Sequence, residues 1–560
     1  MGNFKTIYRR LFDQLMQDKR YESVLWYGDE GNLQHGCFNV LDVLQPMEVP
    51  VIVMNSNVNF RLFETFNNEM VSWICMKSLK NKPLFSNLAS ALDNIRYTRV
   101  IVQIMEKASE DELNDFFQFS VKLQMLNVMV CYGDFHQNQR YYLYAPFSPT
   151  KLEEHVFQSM HDKVIFPQRL QNLYGHPIRT LVEHTRPRAM EYYNGKGERC
   201  IVGPLGRFIT TLIDKWNGTL AFPYNVPLNV TINYREFLPL MRNYSLDVPV
   251  TSSAIFHTDD IHEFSYPLEL SYWCLLLPVE HPLEFRYLLL LLIKSLCRTG
   301  KILTYKWPKY LINADAIQGV FGLSVHYKIR NRFSLRLIYL MLFVSGLTFT
   351  SIFNSNLFSI ITHPLPASPI RSYEDVQKSS LKIAISQLEF DYFRNILEFP
   401  SSLTHSKFLI LQNITDFYKL QDSFNRSYAY FTSGSKMFHY ASFQEVKRVK
   451  MFRLAKEMCP NPMMLLQVPL SPNSYFRQAI HIGILEAWQS GLLYYWQKNS
   501  NTDVKKAGQK ITVNLIRFES YSPINSKDMN GIYTIYFAFL IVALLIFIIE
   551  IIVYKISKYE

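Results

Sequence analysis

The apolar positions of this chain fall into distinct regimes. From Met1 to about Asp162, short wholly apolar runs alternate with stretches of helical periodicity. Ser23 to Tyr27, Pro50 to Met54, Val100 to Ile104 and Val128 to Tyr132 are of strand length, and strands apolar on both faces predict a parallel sheet covered by helices on both sides. The expectation is a small α/β domain over residues 1–165. Gly28 and Gly133 follow strands but lie in no G-x-G-x-x-G arrangement, so no nucleotide site is expected there.

The second regime is two long apolar stretches. Ile532 to Val553 exceeds the roughly 20 residues needed to cross a bilayer. Tyr533 and Tyr536 sit at one end, and Tyr554, Lys555 and Lys558 follow the other, which places the C-terminus in the cytoplasm. Arg336 to Thr362 is equally apolar but studded with Ser, Thr, Asn354 and Asn356. An amide facing hydrocarbon alone is costly, so these asparagines predict a helix that borders a wet channel. The chain therefore reads as a multi-pass membrane protein, with most of its 560 residues outside the bilayer.

Charge sharpens the topology. Lys and Arg outnumber Asp and Glu by 58 to 47. Lys294, Arg298, Lys301, Lys306, Lys309, Lys328, Arg330, Arg332 and Arg336 face a single acid, Asp315, which reads as a cytoplasmic loop. The aromatic-basic interleaving of a nucleic-acid groove is lacking, so no nucleic-acid partner is expected. A cytoplasmic loop here requires an earlier crossing, and 285–305 is the candidate, although Arg286 and Lys294 fence its core at Leu288 to Ile293. Over 310–327, basic residues flank a half-apolar stretch on both sides. That pattern predicts a re-entrant loop at Gln318, Gly319, Phe321 and Gly322, where Gly319 and Gly322 supply backbone freedom; a plain cytoplasmic loop is the alternative.

N-x-Ser/Thr sequons occur at Asn217, Asn229 and Asn243 before the basic loop, and at Asn413 and Asn425 after it. Their placement fits extracellular glycosylation on both sides of the pore region. The 7 cysteines show no zinc spacing and leave disulfide pairing open. His257, His262 and Glu263 are close neighbours, but in an extended segment they point to opposite faces, so solvated side chains are expected and no metal. Ser433-Gly434-Ser435 lacks the G-x-S-x-G context, and no catalytic residue or cofactor is expected.

After Thr362 the run H-P-L-P-A-S-P ends the helix. Tyr373 to Ser380 reads as a helix, Leu381 to Ile385 as a strand, and Ser474 to Trp496 as two helices hinged near Gly491. Before the pore, Ile201 to Trp216 reads as an amphipathic helix. Met1 to Arg20 has no apolar leader core, and M-G-N-F-K-T fits the pattern for N-terminal acylation. An extracellular domain needs export, so the sequence is expected to lack its leader.

This order resembles the ionotropic glutamate receptor family. Phe353, Asn354, Ser355, Asn356, Leu357 and Phe358, continuing to Thr362, are similar to the family's gate motif S-Y-T-A-N-L-A-A-F-L-T, with Asn356-Leu357 and Thr362 matching. Phe264-Ser265-Tyr266-Pro267 resembles F-S-x-P, Ser372 to Val376 with Lys382-Ile383 resembles the entry to the second lobe, and Pro472 to Trp496 resembles the closing helices. The resemblance implies a two-lobed periplasmic-binding-protein-like ligand-binding domain, over 175–282 and 365–528, interrupted by a helical pore region (283–364) and followed by a last helix (531–555). Where glutamate-binding members carry arginine this chain has Thr258, and near Thr432 the acid that holds a ligand amine is also neutral. These departures are similar to the divergent chemosensory receptors of insects. The implied function is a ligand-gated cation channel subunit, hetero-tetrameric with co-receptor subunits, at the plasma membrane, taking a small-molecule ligand that is not glutamate-like. A non-conducting, membrane-tethered binding subunit is the alternative.

Overall fold

The computed structural model describes residues 2–28, 43, 49–58, 60–157, 164–228, 230–254, 258–280, 333–362, 368–395, 402–447, 450–508 and 526–557. It is mixed α/β and divides into two compact units, residues 1–277 with 376–513, and residues 278–375 with 514–560.

The first unit opens with a seven-stranded sheet built from β1 (Ser23–Gly28), β2 (Val51–Asn55), β3 (Met70–Met76), β4 (Arg99–Ile104), β5 (Val128–Tyr132), β6 (Arg140–Tyr144) and β7 (Leu152–Val156), in the order β2-β1-β3-β4-β5-β6-β7. Strands β2 to β5 of that order are parallel, and β6 and β7 close the edge antiparallel. Helix Gly2–Asp18 covers one face through Tyr8, Leu11, Phe12 and Leu15 against Trp73 and Met129. Helices Lys82–Ala91 and Glu110–Lys122 cover the other through Phe85, Leu88, Phe116 and Phe117. Two apolar faces need two covers, and this sheet has both. A full capping box of Ser109 and Glu112 starts the second of these helices.

The rest of the first unit is organised by β13 (Phe264–Pro278), a 15-residue strand in a sheet of order β12-β18-β13-β16-β14-β15. Here β12 is Ser253–Ala254, β14 Lys382–Ser386, β15 Phe408–Leu411, β16 Tyr428–Ser433 and β18 Asn461–Pro469. β13 runs antiparallel to β16 (Cys274 opposite Thr432) and to β18 (Leu270 opposite Leu465), although residues 279–381 intervene in the sequence. Register shifts interrupt the β13–β18 pairing on either side of Pro267, which has no N–H to give the ladder. A disulfide joins Cys274 to Cys459 across a separation of 185 residues. In the chain-entropy account, closing a loop that long removes on the order of 5 kcal/mol of freedom from the unfolded chain. Cys75 is also disulfide-bonded.

Two apolar cores flank this sheet. One gathers Ile178, Val182, Phe208, Ile209, Leu212 and Val250 from before the interruption with Val468, Phe476, Ile480, Ile484 and Trp496 from after it, so the 365–528 segment completes a core begun in 175–282. The other holds Leu276, Ala384, Phe417, Phe424, Tyr430, Tyr440 and Phe452. β13 contributes to both, through Leu268 and Leu276. Helix Phe476–Gln489 lies so close to helix Pro204–Lys215 that a Cβ at Gly483 would collide with Leu212. Gly491, in the left-handed conformation at φ 71°, turns the chain into helix Leu492–Lys498. The amphipathic stretch expected over Ile201 to Trp216 is divided: β10 is Arg199–Val202, and the helix starts at Pro204, whose missing N–H costs nothing at a first turn.

The loop 471–475 meets the N-terminal sheet domain through Asn473, which accepts from Asn94 N at 2.6 Å and donates to Asp93 Oδ1 at 2.8 Å. The second unit contains helices Phe333–Thr362 and Ser526–Ser557. Within the latter, Tyr536–Ile556 is long and apolar enough to cross a membrane and none of it is buried. The apolar run of the former is shorter, Arg336–Ile352.

Asp503 is fully buried and takes Arg207 Nε at 2.7 Å, Arg207 Nη2 at 2.5 Å and Gly203 N at 3.2 Å. It holds helix Ser500–Lys506 against the start of helix Pro204–Lys215, where a negative charge is favoured. Because the Arg207 head is one-third exposed (34 %) and regains water when its partner is removed, Asp503→Ala is expected to lower unfolding free energy by about 3 kcal/mol, the low end for such a pair. Glu486→Ala, which breaks the exposed Lys215 pair, should change it by less than about 1 kcal/mol. Denaturant titration of the two variants measures the contrast.

Candidate functional site

A cavity of about 510 Å³ opens in the first unit. Its walls come from both sides of the interruption. Glu183, Arg188, Ser252, Ser253 and Trp273 precede it in sequence, and Ser386, Glu389, Tyr418, Thr432 and Lys436 follow it. The volume falls in the range of small-molecule sites.

Each side chain is placed by a structural element. Glu183 and Arg188 flank a turn tied to residues 251 and 252: Thr251 Oγ1 donates to Glu183 Oε2 at 2.7 Å, and Arg188 Nη1 lies 3.6 Å from Glu183 Oε1 and 3.4 Å from Ser252 O. Burial pushes the Glu183 carboxyl up from the usual range, and Arg188, Thr251 and His184 pull against it. Glu389 stands in the first turn of helix Gln387–Asn395, with its Oε2 accepting from Ser386 N and Ser386 Oγ while Ser386 Oγ accepts from Glu389 N. Burial also pushes the Glu389 carboxyl up, against those hydrogen bonds and Lys436.

Lys436, in the first turn of helix Gly434–Lys447, is only 5 % exposed. Its Nζ lies 2.9 Å from Asp422 Oδ1 and 4.2 Å from the centre of the Tyr418 ring. Burial draws the ammonium pKa down and Asp422 resists. Arg186 Nη1 approaches the other oxygen of Asp422 at 3.8 Å. The apolar share of the wall centres on Trp273, whose ring lies 4.7 Å from Phe431 and 5.8 Å from Tyr392.

Of the ligand positions anticipated from sequence, Thr432 is in this wall, on β16 and 2 % exposed, and its hydroxyl has no hydrogen-bond partner among the described residues. Thr258 begins the 3-10 turn Thr258–Glu263, and its side chain lies outside the described residues. The same turn corrects the extended conformation expected around His262. A run of three residues per turn forms there, His262 packs edge-on against Phe63 at 4.4 Å, and Glu263 pairs with Arg242 at 2.9 Å. Ser433-Gly434-Ser435 is a strand-to-helix junction held by Gly434 N donating to Ser271 Oγ at 3.0 Å.

Glu183, Arg188, Glu389 and Lys436 were not anticipated. R-P-R at 186–188 and the lone Lys436 carry no periodic signal, and their convergence depends on strand pairing across the interruption. A buried acid and base at the ends of strands is visible only once the topology is known.

The expected gate residues lie in helix Phe333–Thr362. Asn354, Ser355 and Phe358 are exposed, and the side chains of Phe353, Asn356 and Leu357 lie outside the described residues. Ser345, Thr348 and Thr350 bond to their own helix's carbonyls at Leu342, Ser345 and Gly346, so those hydroxyls ask nothing of their surroundings. Gln318, Gly319, Phe321 and Gly322, the short crossing at 285–305 and Asn229 lie outside the described residues. Asn217, Asn243 and Asn413 are exposed and Asn425 is half-buried. Asn413 also caps helix Ile414–Asp422 through Oδ1, which leaves Nδ2 for a glycan.

The raised Glu389 carboxyl gives a testable sign. A folded-state pKa above the unfolded one means that the native protein binds the proton more tightly, so stability declines as pH rises from the ordinary carboxylate range through the folded value. Glu389→Gln keeps the acceptor for Ser386 and removes the proton. Its melting temperature is expected to match the parent near pH 4 and to exceed it at pH 7. An unchanged difference across that interval contradicts the assignment.

Comparison with protein-family models gives no match, and comparison with curated protein sequences gives no significant match.

Proposed function

We propose that this chain is a subunit of a ligand-gated cation channel, a divergent chemosensory member of the ionotropic glutamate receptor family. Its N-terminal and cavity-bearing regions are extracellular, its C-terminus is cytoplasmic, and it assembles as a hetero-tetramer with co-receptor subunits. The observation that carries this reading is the cavity wall, drawn from both sides of the segment that contains the asparagine-bearing helix. A ligand that touches both walls favours the arrangement in which they approach, and only that differential affinity is available to move anything else. In this reading the movement pulls on the chain leaving β13 and entering β14, and spreads the helices at Phe353 to Phe358. Gln318 to Gly322 line the re-entrant loop.

The sequon positions and the Cys274–Cys459 disulfide support an oxidising, extracellular setting for the first unit. The departures at Thr258 and Thr432 support a ligand other than glutamate. One observation favours the alternative of a non-conducting, tethered binding subunit: Tyr536–Ile556 is the one described helix that meets the length and composition for a span.

Topology and conduction separate these readings. Asn217→Cys and Asn413→Cys on intact cells should both react with a membrane-impermeant thiol reagent, whereas labelling of one alone contradicts the shared extracellular side. Agonist-evoked current on co-expression with co-receptor subunits, lost in Asn354→Leu together with Asn356→Leu at undiminished surface level, supports conduction. Ligand binding without current in every combination supports the tethered subunit.

A further inference from the structure

The seam at which Asn473 meets Asp93 and Asn94 buries a cation beside it. Arg477 stands in the first turn of helix Phe476–Gln489 and is only 9 % exposed. Its Nε and Nη2 have no hydrogen-bond partner, and no carboxylate pairs with it, among the described residues. Covalent geometry fixes where those two donors point. In a planar guanidinium, Nε–H and the Nη2–H beside it share one edge and run parallel, at the spacing of two oxygens on a single carbon or phosphorus. The unmet donors are therefore one fork on one side chain. Buried charged donors left without acceptors are costly, and the positive end of the helix adds to the charge that asks for an anion.

The neighbouring acids are engaged elsewhere. Tyr97, Glu263 and Asp93 stand close enough to act on the Arg477 charge, while burial draws its pKa down. Asp93 accepts from Asn473 Nδ2 at 2.8 Å and lies 3.4 Å from Arg96 and 4.0 Å from Arg61. Glu263 Oε2 accepts from Arg242 Nε at 3.0 Å and from Arg242 Nη2 at 2.9 Å. Each acid thus has a guanidinium of its own, and Arg477 is the surplus cation. His481, one turn further along the helix, stacks on Tyr266 at 3.9 Å and donates to the Phe264 carbonyl. Its Nε2 also lacks a partner, so it does not fill the fork. Burial and the Arg477 charge push His481 down to about 4 and lower His262 as well, so near neutral pH neither ring competes for an anion.

We propose that Arg477 binds a small oxyanion, a carboxylate or a phosphate, at the seam between the N-terminal sheet domain and the cavity-bearing region. The fork is shut off from bulk water, which limits the guest to a small ion, and a parallel pair of N–H groups suits two oxygens better than a sphere. Arg477 does not line the cavity, so this site is separate from the ligand site proposed above and stands whether or not the chain conducts.

The test uses the full chain in lipid nanodiscs, with acetate, inorganic phosphate and chloride as probes and a bulky sulfonate buffer holding ionic strength constant. Saturation transfer to the acetate methyl protons reads acetate binding, and phosphate and chloride are read as its competitors. In the parent, acetate or phosphate is expected to bind at least about fivefold more tightly than chloride, the worth of one extra net hydrogen bond. Whichever of the two binds tighter tells carboxylate from phosphate. Arg477→Lys keeps the charge without the fork and should erase the preference over chloride. Arg477→Gln should abolish the acetate signal, and Lys215→Gln, which removes an exposed cation, should leave it unchanged. Cooperative melting in the sulfonate buffer reports that each variant is folded, and the parent's selectivity needs no variant. Acetate and phosphate binding no better than chloride in the parent overturns the proposal and leaves the fork to water, as does an acetate signal that survives Arg477→Gln.

Discussion

The pairing of β13 with both β16 and β18 is the constraint from which the rest of the molecule follows. Phe264–Pro278 leaves the first unit and the chain returns only at residue 376, yet the same strand must find partners at 428–433 and 461–469. Contacts this distant in sequence carry a large ordering cost before any reward. The structure meets that cost with a long strand whose two ends feed separate cores, and with a disulfide placed beside the point where the chain departs. Without this pairing the cavity has no opposing walls.

The same pairing sets the cavity's chemistry. β13 places Trp273 against Phe431 of β16, and the end of β16 delivers Thr432 and the helix that bears Lys436. The turn carrying Glu183 and Arg188 comes from the other side of the interruption. Buried charges at such a junction are tolerable only when paired, and Glu183 with Arg188 and Lys436 with Asp422 meet that condition. Aromatic side chains of Trp273, Tyr392, Tyr418 and Phe431 make up much of the remaining wall.

Local patterns were legible in the sequence and long-range ones were not. The apolar runs at 23–28, 99–104 and 128–132 announce strands because both faces are buried, and the run at 51–55 forms the half-exposed edge strand of the same sheet. Strand Met70–Met76, buried along its whole length, escapes notice because only Val71 and Ile74 are β-branched and Ser72 interrupts the apolar run. The helices on either side of Gly491 follow from periodicity and one glycine. The 3-10 turn at Thr258–Glu263 was read as extended, since six residues with mixed polarity carry no period to argue from. Thr432 was reached through family resemblance, whereas Arg188, Glu389 and Lys436 required the fold. Charge pairs that form across an interruption leave no trace in local spacing.

The surroundings of the asparagine-bearing helix decide whether the proposed channel exists. The hydroxyls of Ser345, Thr348 and Thr350 bond to carbonyls of their own helix, and in the proposed channel Asn354 and Asn356 are the residues expected to face water. If the chain forms the proposed channel, cysteine introduced at 354 and at 356 in the full chain in membranes should react with a charged, water-soluble thiol reagent, and faster when ligand is bound. Complete protection at both positions, with and without ligand, would contradict an aqueous pathway along this helix.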